Sequence, residues 1–262
     1  MTDTTRTATV QVIDAHQGEV SLDLVSVNGR AWPVIWPQTG ARLRSLHRID
    51  LKPGGETRLL RHPMEAVYYV LSGEGEVDDD AGQRFALVEG SMVHIQPRTA
   101  YRFAAAGTLA LIGGPCPVDT TLYDTPMAAS AGPSEGAIRL FHRDDPGVQV
   151  PLISRDARLI VWLGAGAETA NMNFVRIAPG EGNVPHIHAE SEDTIYILEG
   201  RGTIVDFDHD LRLAFEAGQV IHVPVGIKHA VYADKGEAVV SVGGPAPADK
   251  GMLRAAGLLP GS

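Results

Sequence analysis

Apolar residues along this chain come in short runs of strand-like composition, such as Val67-Tyr68-Tyr69-Val70-Leu71 and Val220-Ile221-His222-Val223. Gly, Pro and acidic residues punctuate the runs, as expected of strands joined by tight turns. Two acidic stretches have the polarity of hairpin tips: Asp78-Asp79-Asp80 with Gln83 and Arg84, and Asp206-Phe207-Asp208-His209-Asp210. No apolar pattern of helical period runs for about 12 residues or more, and only Asp249 to Leu259 offers a short helix. The pattern predicts an all-β protein built as a sandwich or barrel.

The strand pattern also repeats. Lys52-Pro53-Gly54 matches Ala178-Pro179-Gly180, and Val67-Tyr68-Tyr69-Val70-Leu71-Ser72-Gly73 matches Thr194-Ile195-Tyr196-Ile197-Leu198-Glu199-Gly200. Gly113-Gly114-Pro115-Cys116-Pro117-Val118-Asp119 returns as Gly243-Gly244-Pro245-Ala246-Pro247-Ala248-Asp249. The offset stays between about 126 and 130 residues, so each copy is a whole domain rather than a solenoid unit. The expected division is a first barrel over 1–121, a linker over 122–136 rich in Ala, Ser, Pro and Gly, and a second barrel over 137–262.

The second copy carries the candidate chemistry. His186 and His188 form an H-x-H pair, whose side chains share one side of an extended segment. Asp193 follows, and His229 stands on a later strand. Three imidazoles and one carboxylate suit a single divalent first-row metal with positions left for water or substrate. Mn and Fe head the candidates, and Zn, Ni and Co remain open. A bulge would turn the neighbouring Glu192 toward the metal in place of Asp193. In the first copy His186 falls opposite Leu60 or Leu59, His188 opposite His62 or Arg61, Asp193 opposite Ala66, and His229 opposite Tyr101. That set is too poor to hold an ion, so the first barrel is expected to be metal-free and to serve packing. A small pocket built from Arg61, His62, Tyr101 and Arg102 is the functional alternative there.

These residues resemble the two motifs of the cupin family. Gly180, His186, His188, Asp193 and Gly200 keep the spacing of the first motif, with Asp where the family usually has Glu. Gly218, Pro224, Gly226 and His229 keep the second, with Ala233 in place of its final Asn. The resemblance implies two tandem cupin domains, each a double-stranded β-helix or jelly-roll barrel, and pairing of chains into a homo-oligomer, a dimer in the simplest case. The layout, with the metal in the second barrel, is similar to that of the ureidoglycine aminohydrolases. That group has Glu where His186 stands, His where Asp193 stands and Gln where His229 stands. The ligand set here is instead similar to oxalate-metabolising cupins, germins and quercetin dioxygenases.

Composition narrows the partners. The net charge of −10 disfavours nucleic acid, and no apolar run reaches the ~18 residues needed to span a membrane. The first residues lack the pattern of a signal peptide and there is 1 cysteine, so the cytoplasm is the expected location. The expected activity is that of a metalloenzyme acting on a small polar metabolite by hydrolysis, isomerisation or elimination. An Fe(II)-dependent dioxygenase acting on an aromatic, diketone or thiol is the first alternative, and a non-catalytic binding protein the second. Glu192, His222 and Lys228 are candidate acid or base groups from their nearness to ligands in sequence. Ile195, Ile197 and Val231 share strand parity with the ligands and are candidate substrate contacts, together with Arg176. Arg176 and Asn173 lie on opposite faces of their strand, so at most one enters the barrel.

Overall fold

The computed structural model describes residues 8–124 and 133–260. The first half contains β1 (Gln11–Asp14), β2 (Val25–Ile35), β3 (Leu46–Thr57), β4 (Leu60–Arg61), β5 (Glu65–Asp79), β6 (Arg84–Val88), β7 (Ser91–Ile95) and β8 (Ala100–Cys116). The second opens with β9 (Ile138–His142), β10 (Val148–Gln149), β11 (Asp156–Val161), β12 (Met172–Ile177) and β13 (Glu192–Glu199). It closes with β14 (Arg201–Asp206), β15 (Leu211–Glu216), β16 (Gln219–Val223), β17 (His229–Ala233), β18 (Val239–Ala246) and the helix α1 (Lys250–Ala255). The chain is all-β with antiparallel pairing throughout, arranged as two jelly-roll barrels. Both acidic stretches turn hairpins, β5 to β6 and β14 to β15. The short helix forms where the sequence allowed it, with the Asp249 side chain accepting from the Met252 amide as N-cap.

Strand alternation sorts most of the core into three compartments. Leu60, Tyr68, Val70, Tyr101 and Phe103 fill the first barrel. Ile197, Ile204, Phe215, Ile221 and Val231 fill the second. The opposite faces of the same sheets meet between the barrels, where Trp32, Tyr69, Met92 and Ile112 pack with Phe174, Tyr196, Val220 and Val242. On β13 the odd positions Asp193, Ile195 and Ile197 therefore turn into the barrel, while Glu192, Thr194 and Tyr196 turn toward its neighbour.

The sheets cross the boundaries drawn from the sequence. β1 pairs with β16 of the second barrel, Gln11 opposite His222 and Asp14 opposite Gln219. β9 pairs with β7 of the first, Ile138 opposite Ile95 and His142 opposite Ser91. Each copy thus lends its first strand to a sheet of the other, across the boundaries at 121 and 137. The middle of the 122–136 linker lies outside the described residues. Two glutamates at matching positions tie the halves further. Glu65 accepts from the backbone amides of Glu168, Thr169 and Ala170 at 3.0, 2.6 and 2.9 Å. Glu192 accepts from Arg42 and Leu43 at 2.9 and 3.0 Å.

Candidate metal centre

The ligand cluster is assembled by an isolated bridge rather than by a regular strand. His186 and His229 exchange both backbone hydrogen bonds at 3.0 Å, which sets their rings side by side with centroids 4.4 Å apart. Beyond this bridge the His186–His188 segment belongs to no ladder, yet His188 still reaches the same point, 4.9 Å from the His186 ring. Asp193 completes the group from the inward face of β13. One ligand atom from each of His186, His188, Asp193 and His229 lies within 4.8 Å of all the others, in the one such cluster among the described residues. Asp193, not Glu192, is the carboxylate.

Outer contacts orient every imidazole. The Nδ1–H of His186 donates to the Val184 carbonyl at 2.8 Å, and that of His229 to the Ile227 carbonyl at 2.9 Å. His188 donates from Nδ1 to the Asp249 carboxylate at 2.6 Å. In each ring Nε2 is thereby the nitrogen turned toward the cluster, the arrangement that fixes direction in metal-binding histidines. The Asp193 Oδ2 atom stands 3.6 Å from His188 Nε2 and 3.7 Å from His229 Nε2, too far for hydrogen bonds. Asp193 Oδ1 and His229 Nε2 are buried without a partner. Buried polar atoms rarely stay unpaired, and a divalent cation shared by these donors would satisfy them. The residues fit a metal.

The charges agree with that reading. Burial and the neighbouring His229 and His188 push His186 down to about 4, so it stays neutral. Burial works against a proton on His188 as well, but the carboxylates of Asp193 and Asp249 outweigh it and draw the ring up to about 9. Burial alone would raise Asp193, whereas His188 and His229 hold it well below the usual carboxylate range. A negative charge among imidazoles is what a cation would complete.

A cavity of about 480 Å³ opens beside the ligands. His186 and Asp193 form one side, and β12, β13, β17 and α1 supply Asn173, Val175, Ile177, Ile195, Val231 and Met252. Ile195 and Val231 are thus where strand parity puts them. Ile197 is fully buried in the barrel core and does not reach the cavity. Arg176 is exposed and points outward, and Asn173 is the member of that pair that enters. The acid and base candidates do not meet the site either. Glu192 is engaged with the Arg42 and Leu43 amides, His222 is buried 3.8 Å from Glu192 on the face toward the other barrel, and Lys228 is exposed. Among the described residues the lining is mostly apolar and contains no Lys, Arg or Glu.

Sequence reasoning missed Asp249, and the signal was in the repeat. Asp119 and Asp249 end matching Gly-Gly-Pro segments, and Asp119 bonds His62 Nδ1 at 2.8 Å as Asp249 bonds His188. Leu60 pairs with Tyr101 as His186 pairs with His229, which removes the gap ambiguity: His62 corresponds to His188. There the Tyr101 hydroxyl bonds His62 Nε2 at 2.8 Å and the Tyr68 hydroxyl at 2.7 Å. The pocket weighed for Arg61, His62, Tyr101 and Arg102 is not formed. His62 and Tyr101 are buried against each other, Arg61 donates to the Arg98 and Pro133 carbonyls, and Arg102 pairs with Asp78.

The family model described as Cupin domain matches residues 47–112 and 173–243. Among curated proteins no sequence matches. Solved structures align over nearly the whole chain. A putative glyoxylate induced protein from Pseudomonas aeruginosa is 20% identical, with 92% of this chain and 91% of that one covered and a TM-score of 0.69. An oxalate decarboxylase from Lactobacillus farciminis, in complex with formate, is 15% identical, with coverage of 91% and 86% and a TM-score of 0.68. The protein Ylba from E. coli is 18% identical, with coverage of 90% and 91% and a TM-score of 0.65. At these identities the likeness is one of fold.

Proposed function

Since the chain belongs to the cupin family, we propose that it is a mononuclear metalloenzyme whose chemistry is confined to the second barrel. The observation that carries this reading is the cluster itself: four donors converge, two of them buried and otherwise unpartnered. A divalent ion held there supplies Lewis acidity or, as Fe(II), oxygen chemistry. The chain's own residues do the rest. The Asp249 carboxylate and the Val184 and Ile227 carbonyls fix the three rings, the aliphatic walls exclude water, and the Asn173 amide is a polar point against which a substrate can be oriented.

The lining favours oxygen-dependent cleavage over hydrolysis. Apart from the ligands, the ionisable side chain that lines the cavity is Asp249, which is already committed to His188 and to the helix cap. Release of ammonia from a ureido-amine calls for a group that protonates the departing nitrogen, and the described lining residues offer no uncommitted one. Apart from the ion itself, a dianion such as oxalate would meet no Lys or Arg among the described lining residues and two carboxylates, Asp193 and Asp249.

The test is elemental analysis of protein purified without chelator or nickel resin, followed by oxygen-electrode assays with candidate substrates. About one iron per chain with substrate-dependent oxygen uptake is expected. Manganese or zinc with turnover but no oxygen uptake would return the reading to Lewis-acid chemistry. His188→Ala should abolish metal binding and leave the circular dichroism spectrum unchanged. No metal after reconstitution, or full occupancy in that variant, would overturn the assignment.

A further inference from the structure

The mouth of the cavity has its own chemistry. Val184, Leu152 and Ile187 line it and are 69%, 57% and 50% exposed; the first two are the most exposed large apolar side chains among the described residues. Single exposed apolar residues need no explanation, but a cluster at the opening of an apolar cavity marks a binding surface. The surface is continuous with Val175, Ile195 and Val231 inside, so an apolar path runs from solvent to the ligand cluster. No cation lies on it. The volume of about 480 Å³ is that of a site for a whole small organic molecule.

We propose that the cavity takes an uncharged molecule with an oxygen-bearing head at the metal cluster and an apolar tail that leaves across Leu152, Val184 and Ile187. The inference rests on the metalloenzyme reading and adds the substrate class to it. Burying each methylene of the tail strengthens binding about fourfold, while a carboxylate on the tail would be desolvated without a counter-ion.

Alkyl hydroxamates, from acetohydroxamate to octanohydroxamate, are the probes, titrated calorimetrically into the full-length metal-loaded protein. Affinity should climb about fourfold per added methylene over the first several carbons. Leu152→Asp, remote from the ligands in sequence, should weaken octanohydroxamate at least tenfold and leave acetohydroxamate unchanged. Oxalate should bind more weakly than any of them. Affinity independent of chain length, tightest binding by oxalate, or equal loss for both hydroxamates in Leu152→Asp would overturn the proposal. A dimer that Leu152→Asp dissolves would do the same, by making the rim a subunit interface. If acetohydroxamate binds the metal-free protein as well as the loaded one, the metal reading fails instead, whatever the dependence on chain length.

Discussion

Asp249 is the residue whose removal tests the site most sharply, because it does two separable things. Its carboxylate accepts the Nδ1 proton of His188 at 2.6 Å and also caps α1 through the Met252 amide at 2.9 Å. The first contact is charge-assisted, fixes the ring and raises its basicity. Removing such an outer partner costs about 10- to 100-fold in metal affinity, or about 1.4–2.7 kcal/mol. The second contact is a helix cap, worth ~1 kcal/mol against Ala but almost nothing against Asn. Asp249→Asn keeps the cap and a neutral acceptor, so metal affinity should fall about tenfold while the metal-free protein loses the charge on the His188 bond but not the cap. Asp249→Ala should lose closer to 100-fold in affinity and ~1 kcal/mol of stability as well. Competition against a chromophoric chelator gives the affinities, and urea denaturation without metal gives the stabilities. Native affinity in Asp249→Asn would refute the role given to this bond. So would equal losses of stability in the two variants.

Two further outcomes concern the first barrel and the contact between barrels. Burial opposes the charge on Glu65, but the adjacent His94 ring and hydrogen bonds from the Thr169, Glu168 and Ala170 amides prevail and bring its pKa from 4.5 to about 2. Its folded value is depressed, so its stabilisation of about 3 kcal/mol is present above pH ~4.5 and fades as pH falls toward 2. Urea titrations should find native protein more stable than Glu65→Gln by roughly that amount at neutral pH, with less than half of the gap left at about pH 3; a gap indifferent to pH would contradict this. Tyr101→Phe should strip His62 Nε2 and the Tyr68 hydroxyl of a buried partner and cost about 1–3 kcal/mol. Its metal content should be native, and a loss of metal would mean that the first barrel takes part in the site.

The sequence displayed the candidate ligand cluster because its spacing is imposed by backbone geometry. An H-x-H pair, a carboxylate at an inward position of β13 and a histidine across a bridge are each one residue type at one register position. The failures have a common origin in side-chain direction and sheet partnership. Glu192 and His222 sit beside ligands in sequence, yet period two turns them to the opposite face, where they serve the contact between barrels. Arg176 failed by the same parity. The exchange of β1 and β9 was invisible because a run such as Gln11-Val12-Ile13-Asp14 says that it is a strand, not whose edge it completes. Asp249 was legible in principle. The repeat placed it level with Asp119, but the pairing of each with a histidine needed the fold.

The two barrels explain each other. Both keep the histidine and the aspartate that orients it, His62 with Asp119 and His188 with Asp249. What separates them is a single cross-strand pair and one inward position. Where the second barrel sets His186 against His229 and turns Asp193 inward, the first sets Leu60 against Tyr101 and has Ala66. Leu60 and Ala66 offer no donor, and the Tyr101 hydroxyl occupies the Nε2 atom that would face an ion. The Phe103 ring then meets Tyr68 and Tyr101 edge to face, and those two rings lie tilted against each other in the first barrel's core. A buried histidine held by a carboxylate thus meets a phenol at its second nitrogen in one barrel and faces the donor cluster in the other. The first solution gives a sealed core, and the second leaves an open cavity with unpaired donors at its wall. That the open barrel has an apolar approach from solvent, past Leu152 and Val184, is the strongest reason to look for its substrate among uncharged molecules.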